Sequence, residues 1–182
     1  MAYVLHQLLT ESAARRPDAE AVRLLDQALG YAELVKLSNQ LAHALIEIGV
    51  VPGDRIGIYL HKSPAAIASI FGIMKTGACY VPVDPNAPSL RLAEIARQCG
   101  FRALITSFSL YEKLSAVVVD ECPTAALFFI DNSPDAALPA PAFTFADSLP
   151  SQPIAPIVAS AIERTRVDFT VSAKVQTLLM KL

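Results

Sequence analysis

The sequence predicts an α/β fold, in which a parallel β-sheet carries helices on its faces. Two observations support it: the first 130 residues alternate helical and strand patterns, and single amphipathic helices separate successive strands. Strands with this spacing usually pair in parallel through right-handed crossovers. At 182 residues, the chain is long enough to enclose one hydrophobic core. We therefore expect one α/β layer over most of the chain.

The helices are predicted from apolar spacing and from their end signals. The segment at 5–17 can form a helix that ends at Pro17, and 31–48 places leucines at helical spacing before Gly49, which suits a left-handed C-terminal cap. Ser63 can cap a helix in which Pro64 occupies the first turn. The stripe of that helix is Ile67, Ile70, Phe71 and Met74, and Gly77 ends it. A further helix at 89–99 stops at Gly100, and a weaker one begins at Leu110.

The strands are predicted from short apolar runs between these helices. They lie at 19–25, 55–60, 79–83, 102–107 and 125–130. On the strand at 79–83, Cys79 and Tyr80 are expected to contribute to the core. Pro82 limits the pairing of this strand, because proline cannot donate to a ladder.

The character of the chain changes after Asn132. Six prolines fall between Pro134 and Pro156, which indicates an extended linker. We therefore divide the chain into an α/β portion at 1–132, a Pro-rich linker at 133–162 and a divergent tail at 163–182. The tail could form a short strand and then a helix.

Composition excludes several classes of protein. A net charge of −2 gives no electrostatic footprint for nucleic acid. The longest charge-free run, at 148–162, contains three prolines and is too short to span a bilayer, so no membrane partner is expected. The N-terminus lacks the apolar region of a signal peptide. Cys79, Cys99 and Cys122 have no paired spacing and are expected to be small buried side chains in a reducing compartment. These features indicate a cytoplasmic protein.

One motif connects the chain to a known family. "MKTGACYVPVDP" at 74–85 closely resembles the "LKAGxAYxPxDP" motif of the adenylate-forming (AMP-binding) superfamily, especially the amino-acid adenylation domains of nonribosomal peptide synthetases. Collinear segments continue the resemblance over roughly residues 5 to 130: "LHQLLTESAARRPDAEAV", "LGYAELVKLSNQLAHALIEIGVVPGDRIGIYL", "KSPAAIASIFGIMKTGA" and "DPNAPSLRLAEIARQCGFRALITS". Three positions depart from the family pattern: Gly30, Ala87 and Leu90.

The resemblance implies a partial N-terminal subdomain of the adenylate-forming fold. It also implies a family that uses ATP and Mg²⁺: a carboxylate oxygen attacks the α-phosphorus, which yields an acyl-adenylate and pyrophosphate, and a phosphopantetheine thiol usually takes the acyl group. The implied partners are the remainder of an adenylation domain or a carrier protein. The family's phosphate-binding loop is rich in glycine, whereas the last glycine here is Gly100. Thr170, Ser172 and Lys174 resemble that loop in composition only.

No residue of this chain is therefore predicted to be catalytic, to bind a cofactor or to bind a metal. The three histidines, His6, His43 and His61, are expected to have surface or packing roles. Asp84 is expected to fix a turn, and Lys75 to sit favourably at the negative end of a helix that Lys62 precedes. Ser107, Ser109 and Ser115 lack the context of a nucleophile elbow.

Three interpretations of function remain open at the level of sequence. The first is part of an amino-acid adenylation domain that is inactive alone, because the phosphate-binding loop and later motifs are absent. The second is a non-catalytic α/β interaction module, suggested by a hydrophobic content of 53%. The third is a fragment of an acyl-CoA ligase from the same superfamily.

Overall fold

The computed structural model describes residues 4–114, 126–131 and 142–144. Its helices are α1 (Leu5–Arg15), α2 (Tyr31–Glu47), α3 (Pro64–Lys75), α4 (Ser89–Cys99) and α5 (Phe108–Tyr111). Its strands are β1 (Glu20–Leu24), β2 (Gln27–Gly30), β3 (Arg55–Ile58), β4 (Cys79–Pro82), β5 (Phe101–Thr106), β6 (Ala126–Phe129) and β7 (Ala142–Thr144). Within the described residues, no helix combines the length and apolarity that crossing a bilayer demands.

Five strands form a parallel sheet in the order β4-β3-β5-β6-β7. The chain runs from β3 outward to β4 and then returns past β3 to β5. Right-handed crossovers in opposite directions place α3 and α4 on opposite faces of the sheet. The predicted α/β class, with a parallel sheet and helices on its faces, is confirmed.

A separate antiparallel hairpin joins β1 to β2. The sequence predicted β1 but not β2, whose four residues "QALG" show no apolar alternation. The hairpin turn contains Leu25, whose φ of +51° is the only positive value at a described residue other than glycine. Leu25 is also 85% exposed, so packing does not compensate for this backbone conformation.

The main core lies between the sheet and its helices. The strands contribute Ile56, Ala103 and Ile105, which are fully buried, while Leu41 and Leu92 reach the same cluster from α2 and α4. Gly57 keeps β3 close to β5, because a Cβ atom there would lie 2.5 Å from the Phe101 ring and 2.8 Å from Leu104. The middle of the sheet is therefore packed without room for another methyl group.

A second cluster joins α1 and the hairpin to α2 and α3. Leu9, Leu34 and Ala68 are its buried members, and Ile67 and Phe71 pack against them. Helix α3 therefore packs against both hydrophobic clusters. The sequence had predicted a single apolar stripe, and so only one buried side, for this helix. Its most buried positions include small residues, which a search for large apolar residues misses: Ala68, Ser69 and Gly72.

The helix ends are stabilised as the sequence predicted, and two arginines add to them. Gly49, Gly77 and Gly100 all have positive φ, and the Ser63 hydroxyl accepts a hydrogen bond from the Ala66 amide at 3.1 Å. Arg102 donates to the carbonyl oxygen of Ile48 at 2.7 Å, just after α2. Arg55 donates to that of Cys99 at 2.5 Å, at the end of α4. These guanidinium groups compensate the partial negative charge of both helix ends.

Strand β4 corrects one prediction. Cys79 and Tyr80 are exposed, the latter by 41%, rather than in the core. The reason is that β4 is an edge of the described sheet, so it packs against a strand on one side only. Cys99 is also only half-buried, and the thiols of Cys79 and Cys99 are both free. The prediction of small buried cysteines is therefore wrong at Cys79, and Cys122 lies outside the described residues.

The structure describes three residues of the segment that was predicted to be a linker. Strand β7 lies within the segment 133–162 that was predicted as a linker, and it pairs in parallel with β6. Three residues of that segment therefore belong to the sheet. The rest of the segment and the tail at 163–182 lie outside the described residues, and their assignment stays a prediction.

Candidate functional site

The carboxyl ends of β3 and β4 border a surface cleft. In open α/β sheets, ligands bind outside this edge, where loops follow the strands. The cleft has a volume of about 570 Å³. It is lined by two segments of the chain, Leu60–Lys62 after β3 and Pro82–Asn86 around the end of β4.

The polar groups of the cleft are few. His61 and Lys62 are exposed on one wall, and Asp84 lies on the other. One carboxylate oxygen of Asp84 accepts hydrogen bonds from the Asn86 backbone amide at 2.9 Å and from the Asn86 side-chain amide at 3.0 Å. The predicted role of Asp84 in fixing a turn is confirmed. Beside it, burial and then the Asp84 charge raise the pKa of Tyr59, whose hydroxyl donates to the carbonyl oxygen of Pro85 at 3.3 Å.

Several backbone amides in the turns at this edge donate hydrogen bonds to side chains of the protein itself. The Ala66 amide donates to Ser63, and the Asn86 amide donates to Asp84. After β5, the Phe108 amide donates to a carboxylate oxygen of Asp131 at 2.9 Å. A phosphate-binding turn must keep its amides free to donate to the anion. Three amides of these turns are thus already used within the protein, and we assign no catalytic step to the turns.

The other candidates from the sequence lie on different elements of the fold. His6 and His43 are partly buried on α1 and α2, whereas His61 is exposed at the cleft. Ser107 caps α5 by accepting from the Leu110 amide at 3.3 Å. Its hydroxyl also lies 3.1 Å from that of Ser109.

Four candidates, Ser115, Thr170, Ser172 and Lys174, lie outside the described residues. Over the described ranges, no three His, Cys, Asp or Glu side chains are placed to hold a metal ion. That no residue is catalytic or binds a cofactor or a metal remains a prediction.

Sequence reasoning missed the environment of Lys75. The residue ends α3 as predicted, but only 7% of it is exposed. Its ammonium group donates to the Ser38 hydroxyl and to the Asn39 side-chain oxygen, both at 2.6 Å. Burial lowers the pKa of Lys75 to about 8. The available signal was Ser38 and Asn39 themselves, which are adjacent polar residues within an apolar helix.

Comparison with known proteins gives consistent results. A family model described as "AMP-binding enzyme" matches residues 9–159. Tyrocidine synthase 3 from Brevibacillus parabrevis is 39% identical over 118 residues, and the match covers 65% of this chain and 2% of that protein. Phosphinothricin tripeptide synthetase PhsC from Streptomyces viridochromogenes is 38% identical over 127 residues, and the match covers 67% of this chain and 12% of that protein.

Solved structures agree on the fold. The nonribosomal peptide synthetase FmoA3 in its AMPPNP-bound form superposes with a TM-score of 0.67 and 25% identity, covering 86% of this chain and 15% of that one. The anthranilate CoA ligase AuaEII gives a TM-score of 0.71 at 22% identity, covering 81% of this chain and 28% of that one. This chain thus spans a small part of the proteins it matches. It belongs to the AMP-binding enzyme family and corresponds to part of an adenylate-forming domain.

Proposed function

We propose that this chain contributes the first α/β part of an ATP-dependent, amino-acid-activating domain of the peptide synthetase type. The observation that carries the proposal is its identity of 36–44% to peptide synthetases over 110–118 residues. In such a domain, the substrate carboxylate attacks the α-phosphorus of ATP, pyrophosphate leaves, and an aminoacyl-adenylate forms. ATP, Mg²⁺ and a phosphopantetheine thiol acceptor belong to this proposal, as does a cytoplasmic location.

The chain alone should not catalyse this reaction. No glycine follows Gly100, and turns of the carboxyl edge direct amides to Ser63, Asp84 and Asp131 instead of leaving them for phosphate. The role that we propose is structural. The parallel sheet and its helices would support residues supplied by the remainder of an adenylation domain, and a carrier protein would accept the product.

Amino-acid-dependent exchange between ATP and pyrophosphate tests both parts. We expect no exchange from the purified 182-residue chain. We expect exchange from a chimera in which only the matched part of this chain replaces the corresponding 118-residue segment of an adenylation domain from tyrocidine synthase 3. The unchanged tyrocidine synthase domain is the positive control.

Two results would contradict the proposal. Clear exchange by the chain alone would refute its dependence on other segments. A chimera that unfolds cooperatively, as the unchanged domain does, but shows no exchange would refute its scaffold role in amino-acid activation.

A further inference from the structure

A buried cluster of hydrogen-bonded side chains joins the end of α3 to the middle of α2. The Lys75 ammonium group donates to the Ser38 hydroxyl and to the side-chain oxygen of Asn39, both at 2.6 Å. The two α2 residues are 0% and 2% exposed and Lys75 is 7% exposed, so the three side chains meet away from bulk water. The Ser38 hydroxyl in turn donates to the carbonyl oxygen of Val35 at 2.9 Å, which fixes the direction of its own acceptor lone pairs. The ammonium group therefore keeps both partners in only a narrow range of positions.

The other side chains of α3 give its packing little direction. None of its 12 residues is exposed, and its polar side chains are Ser69 and Lys75. The Ser69 hydroxyl donates to the carbonyl oxygen of Ala65 at 2.8 Å, within the same helix, and so does not link α3 to a neighbour. Burial of the remaining apolar side chains is favourable but not directional. Cores that keep their volume and pattern without specific contacts lose a unique structure before they lose stability.

Close packing at Gly72 restrains α3 at one further point. A Cβ atom there would lie 2.9 Å from a methyl carbon of Leu41 and 3.0 Å from the carbonyl oxygen of Ser38, so glycine lets the two helices approach each other. Gly72 and Lys75 are three residues apart and lie on neighbouring turns of α3. Both meet Ser38, the first at its carbonyl oxygen and the second at its hydroxyl. One close contact leaves a helix free to pivot about it, whereas a second contact one turn away removes that freedom.

The charge of Lys75 makes other alignments of the two helices costly. Its hydrogen-bond partners are neutral, and both ion pairs among the described residues join other side chains. A buried ammonium group that lacks partners is among the most unfavourable groups in a protein interior. If α3 slid along α2 or turned about its own axis, Lys75 would lose Ser38 and Asn39 while it stayed among apolar side chains. The charge therefore acts mainly against the alternative alignments.

We propose that Lys75 is a positioning residue that selects a single alignment of α3 on α2. Without its ammonium group, apolar burial would still hold α3 against both hydrophobic clusters, but in more than one arrangement. This role is independent of any catalytic activity of the chain, and Lys75 does not line the cleft. It gives the lysine of the motif at 74–85 a function in choosing one fold among close alternatives.

Methyl NMR of the full chain tests this role. The reporters are the methyl groups of Leu41, which packs against Gly72, and of Ile73, which is fully buried on α3. In the unmodified chain, we expect one signal per methyl group and a nuclear Overhauser effect between Leu41 and the α-protons of Gly72. In Lys75→Met, we expect a second signal with more than about 10% of the intensity, or relaxation dispersion if the arrangements exchange within milliseconds. Lys36→Met removes an exposed lysine from α2 and should leave these signals single.

Urea denaturation of the same proteins separates alignment from folding. We expect Lys75→Met to unfold in one cooperative transition, and the methyl signals of Ile105 in the sheet to stay single in every variant. Single signals without dispersion at Leu41 and Ile73 in Lys75→Met would overturn the proposal, as would equal doubling in Lys36→Met. Doubling that extends to Ile105 would contradict an effect confined to α3. Failure of Lys75→Met to fold would also count against it, because the lysine would then be needed to form the core rather than to align it.

Discussion

Replacing Lys75 by Met should change how the stability of this chain depends on pH. The pKa of Lys75 is lowered by burial from 10.5 to about 8. The unfolded chain therefore binds the proton more tightly than the folded one, and stability rises as the pH increases from about 8 to 10.5. At pH 7 the buried charge lowers the free energy of unfolding by at most about 3 kcal/mol, because lowering a pKa by one unit corresponds to about 1.4 kcal/mol.

The assay is urea denaturation of both proteins at pH 7 and at pH 9.5. From Lys75 alone, the free energy of unfolding of the unmodified chain should increase by about 2 kcal/mol between these values. Lys75→Met lacks this contribution. The difference in free energy of unfolding between the two proteins should therefore change by about 2 kcal/mol between pH 7 and pH 9.5. Because both proteins are measured at both pH values, the contributions of other titrating groups cancel in this comparison. Any pH-independent cost of removing the Lys75 donor from Asn39 cancels as well. An equal pH dependence in both proteins would refute the reasoning, and Lys75→Gln serves as a second uncharged variant.

Three further substitutions test the packing and the backbone, each by urea denaturation. Gly57→Ala should destabilise the chain by about 1–3 kcal/mol, because its Cβ would overlap Phe101; an unchanged midpoint would show that the strands separate easily. Leu25→Gly should stabilise the chain by about 0.5–1 kcal/mol by relieving a positive φ, whereas a loss of stability would contradict this strain. Arg55→Ala should cost about 1–2 kcal/mol through the lost bond to Cys99, and Arg23→Ala, at an exposed ion pair, is its matched control.

Features with a local cause could be predicted from the sequence. Helix α4 spans Ser89–Cys99 as predicted, because its apolar spacing and Gly100 are sufficient to specify it. The start of α3 at Pro64 depends equally on neighbours in the sequence, namely Ser63 and the proline itself.

Features that depend on distant partners could not be predicted. Strand β2 forms because β1 pairs with it, and its own residues do not favour a strand. Tyr80 is exposed because the sheet order makes β4 an edge, which its apolar neighbours do not reveal. The partners of Lys75 lie 36 and 37 residues away on another helix. The cleft similarly requires two loops that only the strand order brings together.

Pro82 has a consequence for how the chain avoids unwanted association. The backbone amide of Cys79 donates to the carbonyl oxygen of Asp54, and that of Val83 donates to the carbonyl oxygen of Ile58 on β3. Because hydrogen bonding alternates along a parallel strand, the backbone groups of Tyr80 and Pro82 point the other way, toward the free edge of the described sheet. Since proline has no amide hydrogen, Tyr80 supplies the only donor that β4 offers there. A strand from another chain would thus find a single amide to pair with. This edge of the described sheet is therefore protected against intermolecular β-sheet growth by one residue of the family motif.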